Sequence, residues 1–224
     1  MNLLELVNRV RLECGVSGPQ LMNLASASLE TQRIRNWVID SWRDVQTMKD
    51  DWHFMQKSFQ FATVAQQQTY APAQAGVGDF SSWKINSFRC ARETSLVDEQ
   101  LLAYMLYDQF RNLYQYGPTR TNFARPSVFT VTPQKSLAFG ANPDAAYQIV
   151  GEYYKTPVML SLDTDTPEFP VRFHMLIVYM AMKHYGAYES APEVYQRGSE
   201  LANQMLSELM INELPTPMFG APLA

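Results

Sequence analysis

The sequence predicts an α+β fold in which helices from both ends of the chain form one bundle around a β-rich insertion. Apolar residues recur at helical spacing near both ends, whereas the middle alternates apolar and polar residues between frequent turn residues. The terminal helices need partners for their apolar faces, and the simplest packing joins them. We expect one domain over 1–213, with the bundle at 1–54 and 168–213, the insertion at 55–160, and an extended tail at 214–224.

Two helices are predicted in the N-terminal region. Apolar residues follow helical spacing from residue 2 to about 14, and Gly15 ends that segment. After a polar loop, Ser28 is a suitable N-cap for a second helix, whose Glu30 lies near the positive end of the helix dipole. The apolar face of this helix continues to Trp52 and comprises Ile34, Trp37, Val38, Ser41, Trp42, Val45, Met48 and Trp52.

The middle of the chain changes to a period of two. Residues 58–70 alternate and contain a glutamine-rich turn, which predicts a hairpin. A long loop at 71–82 carries Phe80, and a strand is expected at 83–90.

A helix is then predicted to start at a capping-box-like Ser95 and to stop at Gly117. Three more strands are expected at 127–132, 136–139 and 147–154, since each is bounded by turn residues.

Two helices complete the pattern. Residues 171–188 have almost no polar face, which favours a central, buried position. Pro192 is suited to the first turn of the last helix.

Composition argues against several classes of function. The formal net charge is −4 and the basic residues are scattered, whereas a grip on nucleic acid needs a concentrated basic surface. No apolar stretch approaches the length of a membrane span, and the start of the chain lacks the basic region of a signal peptide. We interpret Cys14 and Cys90 as free thiols in a reducing compartment, a disulfide being the less favoured alternative.

No pattern typical of catalysis or metal binding is present. His174 and His184 lie ten residues apart, which is too far for paired ligands on adjacent helical turns, and we interpret the histidines as structural. The acidic segment at Asp163 and Asp165 lacks the glycine and distal glutamate of a calcium loop, so a loop leading acidic groups toward a helix N-terminus is the preferred interpretation. We expect no enzymatic activity, no cofactor and no metal.

The last eleven residues form the most informative segment. They contain three prolines and no charged residue. Proline denies this segment helical and central-strand hydrogen bonds, and so few residues cannot bury their own apolar side chains. The sequence predicts a docking peptide with five anchors: Leu214, Pro215, Pro217, Met218 and Phe219.

Several segments together resemble the head-to-tail adaptor, or connector, proteins of tailed bacteriophages. They are Phe110–Pro118, Arg125–Pro133, Gly151–Pro157, Phe169–Val178, the opening Met1–Val7 and the helix from Trp37 to Trp52. The resemblance implies a structural virion protein of the neck, made in the host cytoplasm. It would form a ring, usually of twelve copies, beneath the portal protein and pass the DNA channel on to the tail.

This resemblance also implies roles for particular residues. In adaptors of this kind a C-terminal extension engages the portal, which here corresponds to the tail at 214–224. The loop carrying Phe80, with the adjacent Trp83, is expected to contact a neighbouring subunit or a tail or nozzle protein. DNA would pass through the lumen without specific binding. The alternatives are a tail-terminator or other neck ring protein, and a soluble protein-interaction module outside the virion.

Overall fold

The structure is a computed structural model that describes residues 1–25, 28–92 and 95–215 of the 224-residue chain. It is a mixed α+β structure, as the sequence predicts. The chain divides into two compact units: Met1–Met55 with the described residues from Pro157 onward, and Gln56–Thr156. The helices are α1 (Leu3–Glu13), α2 (Leu29–Thr47), α3 (Tyr107–Phe110), α4 (Met175–Tyr188) and α5 (Pro192–Glu213).

Helix α4 is the centre of the first unit. It contacts α1, α2 and α5, and α1 also contacts α2. Because α4 is apolar around most of its circumference, it buries side chains toward several neighbours at once: Leu176, Ile177, Val178, Ala181 and Met182. The bundle geometry expected from the sequence stays a prediction, but these contacts give the terminal helices a common core. No helix in the described residues is long and apolar enough to cross a membrane.

Local sequence explains where the helices of this unit begin. Asn2 and Glu5 form a reciprocal capping box at the start of α1. Ser28 caps α2 by accepting a hydrogen bond from the backbone nitrogen of Thr31. Pro192 opens α5, as its fixed φ angle favours.

Helix α2 is shorter than the sequence predicts, because it ends at Thr47 and not near Trp52. Asp50 and Asp51 would have placed two carboxylates at the negative end of the helix dipole, which is unfavourable. Trp52 instead folds back, is fully buried, and donates its indole N–H to the carbonyl of Val45 at 2.9 Å. Trp52, the last residue of the predicted apolar face, is therefore buried as expected, although the backbone that carries it is not helical.

The second unit contains two sheets. Its strands are β1 (Gln56–Ala62), β2 (Thr69–Tyr70), β3 (Phe80–Trp83), β4 (Arg89–Arg92), β5 (Ser95–Leu101), β6 (Ala103–Tyr104), β7 (Val128–Val131), β8 (Leu137–Gly140) and β9 (Tyr147–Lys155). The five-stranded sheet has the order β1-β9-β4-β5, with β3 also pairing with β9. The four-stranded sheet has the order β2-β8-β7-β6.

Aromatic side chains fill the core of this unit. Phe88 stacks on Phe129 with ring centroids 4.3 Å apart, and both are fully buried. Further aromatic members of the core are Phe59, Tyr70, Trp83, Phe139, Tyr147 and Tyr153. The high aromatic content of the sequence is therefore used largely for packing.

Strands β7, β8 and β9 confirm the three strands expected in the second half of the insertion. The predicted hairpin at 58–70 is wrong, because β1 pairs with β9 and β2 pairs with β8, in different sheets. The single strand expected at 83–90 is also wrong, since a 3₁₀ turn at Ile85–Ser87 separates β3 from β4. Partners distant in sequence decide the pairing, and local alternation does not specify them.

The helix predicted from Ser95 is a strand instead. Residues 95–101 form β5, which pairs antiparallel with β4. Asp98 looked like a capping acid in the sequence, but its carboxylate binds the Arg125 guanidinium at 2.9 Å. Helix begins only at Tyr107 and continues as a π-helical turn at Arg111–Gln115. Tertiary pairing overrides the local helical signal here.

Candidate functional site

The acidic loop at Asp163 and Asp165 has structural partners within the first unit. The carboxylate of Asp165 accepts hydrogen bonds from the backbone nitrogens of Ser161 and Leu162, both at 2.8 Å. These bonds hold the pKa of Asp165 below its usual value. The carbonyls of Asp165 and Asp163 accept from the first N–H groups of α1, on Leu3 and Leu4. The acidic loop thus satisfies the N-terminus of α1, in keeping with the interpretation of a loop that serves a helix start.

His174 is a core residue, as the sequence analysis expects. It is fully buried, donates from Nε2 to the Phe169 carbonyl at 3.1 Å and accepts at Nδ1 from the Met1 nitrogen at 2.6 Å. This arrangement fixes the neutral imidazole. Burial lowers the pKa of His174, and the bond to Phe169 opposes this only in part.

This lowered pKa makes folding stability depend on pH. The unfolded chain binds a proton at His174 more readily than the folded chain, so the free energy of unfolding should fall as the pH drops below about 6.5. The slope from this residue should approach about 1.4 kcal/mol per pH unit at most. His174→Gln should flatten urea-unfolding stabilities between pH 7 and 5, whereas the exposed His53→Gln should leave the slope in place. An unchanged slope in His174→Gln would rule out this assignment.

In the described residues, no group of three or more His, Cys, Asp or Glu side chains is arranged to hold a metal ion. Cys14 and Cys90 are free thiols, as predicted. Burial raises the pKa of Cys14 to about 12 and raises that of Cys90, so neither is an activated nucleophile.

The C-terminal end of α5 leads into the predicted docking tail. The helix ends at Glu213, and Leu214 adopts an extended conformation with φ −99° and ψ 150°. Leu214 is half-buried and Pro215 is exposed. Pro217, Met218 and Phe219 lie outside the described residues. The tail therefore leaves the helix in an extended direction at the residue where the sequence places its start.

Two exposed aliphatic residues near this point were missed by the sequence analysis. Arg172 donates to the Asn212 side chain at 2.8 Å, which brings the turn before α4 beside the end of α5. Their sequence neighbours Val171 and Ile211 are 71% and 82% exposed. The sequence offered one signal for Ile211: it is an apolar residue that lies outside the apolar face predicted for the last helix. Both residues are therefore exposed aliphatic side chains in segments that meet near the end of α5.

Phe80 and Trp83 occupy different environments from those expected. Phe80 begins strand β3 and is not the tip of a loop, since it pairs with Lys155 on β9. Trp83 is 7% exposed, and its indole N–H donates to the Lys135 carbonyl at 2.8 Å. The two rings lie 4.4 Å apart. Trp83 is therefore a core side chain with little surface to offer a partner.

A shallow groove lies beside these two rings. Its volume is about 360 Å³, and its lining includes Phe80, Trp83, Ile85, Tyr104, Val131 and Lys135. Ile85 and Tyr104 are 37% and 39% exposed. Contact with another protein through this region stays a prediction, and the half-buried Phe80 with these two neighbours would provide its apolar surface.

A charged network fixes the chain immediately before Phe80. The carboxylate of Asp79 binds the Lys57 ammonium at 2.6 Å and accepts from the Tyr153 hydroxyl at 2.7 Å. These bonds lower the pKa of Asp79, while burial, followed by the Asp79 contact, raises the pKa of Tyr153 to about 12. The network joins β1 and β9 to the start of β3, so the chain just before Phe80 is bonded to both neighbouring strands.

The comparison with protein families decides the class of protein. The family model described as SU10 adaptor protein matches residues 1–221, which is nearly the whole chain.

The chain belongs to the SU10 adaptor protein family.

This membership confirms the resemblance to phage head-to-tail adaptors and gives the adaptor a structural role in a bacteriophage. No curated protein matches the chain. The match extends from α1 into the predicted docking tail, and so includes both units of the adaptor.

Proposed function

We propose that this protein forms a ring in the virion neck, docks on the portal protein through its C-terminal tail and connects the capsid to the tail. The observation that carries this proposal is the end of α5. There the chain leaves a 22-residue helix in an extended conformation at Leu214 and enters an uncharged, proline-rich segment. Membership of a phage adaptor family supports the portal protein as the receptor of this segment.

The tail suits a groove between portal subunits. A proline-rich segment is already restricted to extended conformations, so it loses less conformational entropy on binding than a flexible chain. Leu214, Pro215, Pro217, Met218 and Phe219 supply apolar anchors. Repetition around a ring, which we expect to contain twelve copies, multiplies a modest affinity at each site.

The charge of the chain supports a DNA channel that does not retain DNA. The formal net charge is −4 and the 18 basic residues are scattered along the sequence, which argues against a concentrated cationic surface. DNA would therefore pass through the lumen without specific binding. A tail or nozzle protein would contact the groove beside Phe80.

Deleting residues 214–224 tests this proposal. Because these residues follow the last helix, the shortened chain should keep the circular dichroism spectrum and unfolding midpoint of the full chain. It should fail to co-sediment with DNA-filled heads that lack tails, whereas the full chain remains bound. Normal co-sedimentation of the shortened chain would reject tail docking.

Binding to isolated portal and to isolated tail tubes distinguishes the portal-docking position from the alternative position lower in the neck. A tail-terminator or lower neck ring would bind isolated tail tubes and not isolated portal. Selective binding of the full chain to portal, lost on deletion of the tail, is the result we expect.

A further inference from the structure

Strands of both sheets line the groove beside Phe80 and Trp83. The five-stranded sheet contributes β3, and the four-stranded sheet contributes residues of β6 and β7. Most of the lining side chains are apolar, namely Phe80, Trp83, Tyr104, Val131, and Ile85 from the 3₁₀ turn that follows β3. The groove volume of about 360 Å³ is within the range of ligand pockets and suits one or two side chains of a partner.

A tight turn between β7 and β8 fixes Lys135 in the lining of this groove. The backbone nitrogen of Lys135 donates to the Thr132 carbonyl at 2.8 Å, and the Thr132 nitrogen donates to the Ser136 carbonyl at 2.9 Å. Lys135 has φ 61°, a left-handed conformation that is uncommon for residues other than glycine. In this conformation its carbonyl accepts from the Trp83 indole N–H at 2.8 Å. The backbone of Lys135 is therefore held both by its own turn and by β3.

The Lys135 ammonium has hydrogen-bonding capacity left for a partner. Its Nζ donates to the Ser81 carbonyl at 3.0 Å, whereas an ammonium carries three donors. Within the described part of the chain, no carboxylate oxygen lies within 4.0 Å of it. By contrast, Lys57 and Lys84 of the same unit bind carboxylates at 2.6 Å and 2.8 Å. Lys135 is thus an exposed cation without a counter-ion, and its side chain reaches a residue of the groove lining.

The groove therefore combines apolar side chains with one positive charge. None of its described lining residues is acidic. Asp79, which directly precedes Phe80, is already bonded to Lys57 and Tyr153. A purely apolar ligand would leave the Lys135 charge without a complement, whereas an apolar side chain next to a carboxylate would match both features. Charge complementarity thus favours an acidic segment of a partner protein as the occupant.

We propose that the groove receives a segment of a tail or nozzle protein in which an apolar side chain lies next to an aspartate or glutamate. The apolar side chain packs on Phe80, Ile85 and Tyr104, and the carboxylate binds the Lys135 ammonium. This inference rests on the adaptor role in the proposed function and names the residue that selects the partner. The contact should weaken as salt rises, whereas the uncharged C-terminal tail should dock on the portal with little salt dependence.

Joining of heads to tails tests this contact. DNA-filled heads that carry each full-length variant are mixed with isolated tails, and joined particles are counted by electron microscopy at low and high salt. Lys135→Met keeps the apolar stem and removes the charge, so it should raise the tail concentration for half-maximal joining at least about fivefold. Lys135→Arg should preserve joining. Lys49→Met, which removes an exposed lysine of the helical unit, is the matched control and should have no effect.

Two dyes with a common apolar skeleton test the chemistry of the groove on the free, full-length chain. Anilinonaphthalene sulfonate carries an anionic group that stands in for the carboxylate, and phenylnaphthylamine lacks it. In fluorescence titrations, Lys135→Met should weaken binding of the sulfonate about fivefold and leave binding of the neutral dye unchanged. Ile85→Ser should weaken binding of both dyes, because it removes apolar lining. Both variants alter side chains that reach the surface, so each should keep the circular dichroism spectrum of the unsubstituted chain.

The outcomes separate this inference from the proposed function. If heads that carry Lys135→Met accept tails as well as heads with the unsubstituted chain, the groove contact is overturned and portal docking stands. If even the unsubstituted chain does not stay on heads, portal docking is rejected and the dye titrations decide the groove. Equal binding of the sulfonate by both chains would then count against it. Association of free adaptor chains that is lost in Lys135→Met, measured by analytical ultracentrifugation, would assign the groove to a second copy and overturn a tail protein as the occupant.

Discussion

Replacing Met218 and Phe219 together with alanine should remove most of the adaptor from DNA-filled heads that lack tails. Buried apolar anchors at the centre of an interface typically contribute about 2 kcal/mol or more each, which is more than tenfold in affinity per site. Because the tail has no charged residue, raising the salt concentration should weaken binding far less than the double substitution. The measurement is the fraction of adaptor that co-sediments with heads at low and high salt.

A matched control distinguishes anchoring from general surface hydrophobicity. Met22 and Leu29 are 87% and 75% exposed in the helical unit. Alanine at both positions removes similar apolar side chains without touching the tail, so it should leave co-sedimentation unchanged. If this control lowers binding as much as the tail substitutions do, or if salt alone releases the adaptor, the docking surface lies elsewhere.

Gly186→Val should destabilise the helical unit by about 3 kcal/mol, at the upper end of the usual cost of overpacking. A Cβ atom at Gly186 would lie 2.6 Å from the Tyr195 backbone nitrogen and 3.0 Å from the Ala191 carbonyl oxygen. Since these atoms belong to the backbone of the α4–α5 connection and of α5 itself, they cannot move aside by a change of rotamer. The helices would have to separate.

Urea unfolding followed by circular dichroism at 222 nm measures this effect. Gly78→Val is the matched control, because a Cβ at Gly78 meets nothing within 4 Å and its backbone conformation is open to other residues. The control should change the unfolding free energy by less than about 1 kcal/mol. Equal stability of the two variants would mean that α4 and α5 do not approach as closely as the structure places them.

Gly198→Val should behave like Gly186→Val, because its Cβ would lie 2.9 Å from the Tyr179 carbonyl oxygen.

Helix positions were largely predictable because their signals are local. Capping by Ser28, the proline at 192 and the continuous apolar circumference of α4 act through neighbours within a few residues. The error at the end of α2 arose because the apolar period continues to Trp52 although the backbone turns earlier. Periodicity reports which side chains are buried and does not report whether the backbone between them is still helical.

Strand pairing was not predictable because it depends on distant partners. Residues 95–101 contain a plausible capping box, yet pairing with β4 and the Asp98–Arg125 ion pair make them a strand. The same lack of long-range information affected the candidate site. Trp83 looked available in the sequence, but contacts with Phe59, Phe88 and the Lys135 carbonyl bury it. The tail anchors stay a prediction, which rests on composition alone because proline content and absent charge need no tertiary partner to be recognised.

The sequence by itself determined the helices at both ends, the apolar proline-rich tail and the resemblance to phage adaptors that the family match confirms. Each of these depends on residues close together in the chain or on the order of residues itself. Only the tertiary structure decided that β1 and β5 lie at opposite, antiparallel edges of one sheet, and that exposed Val97 and Leu101 lie on one of them. The physical reason is that backbone hydrogen bonds between strands do not depend on side-chain identity, so neighbours in a sheet are selected by the packing of the whole unit.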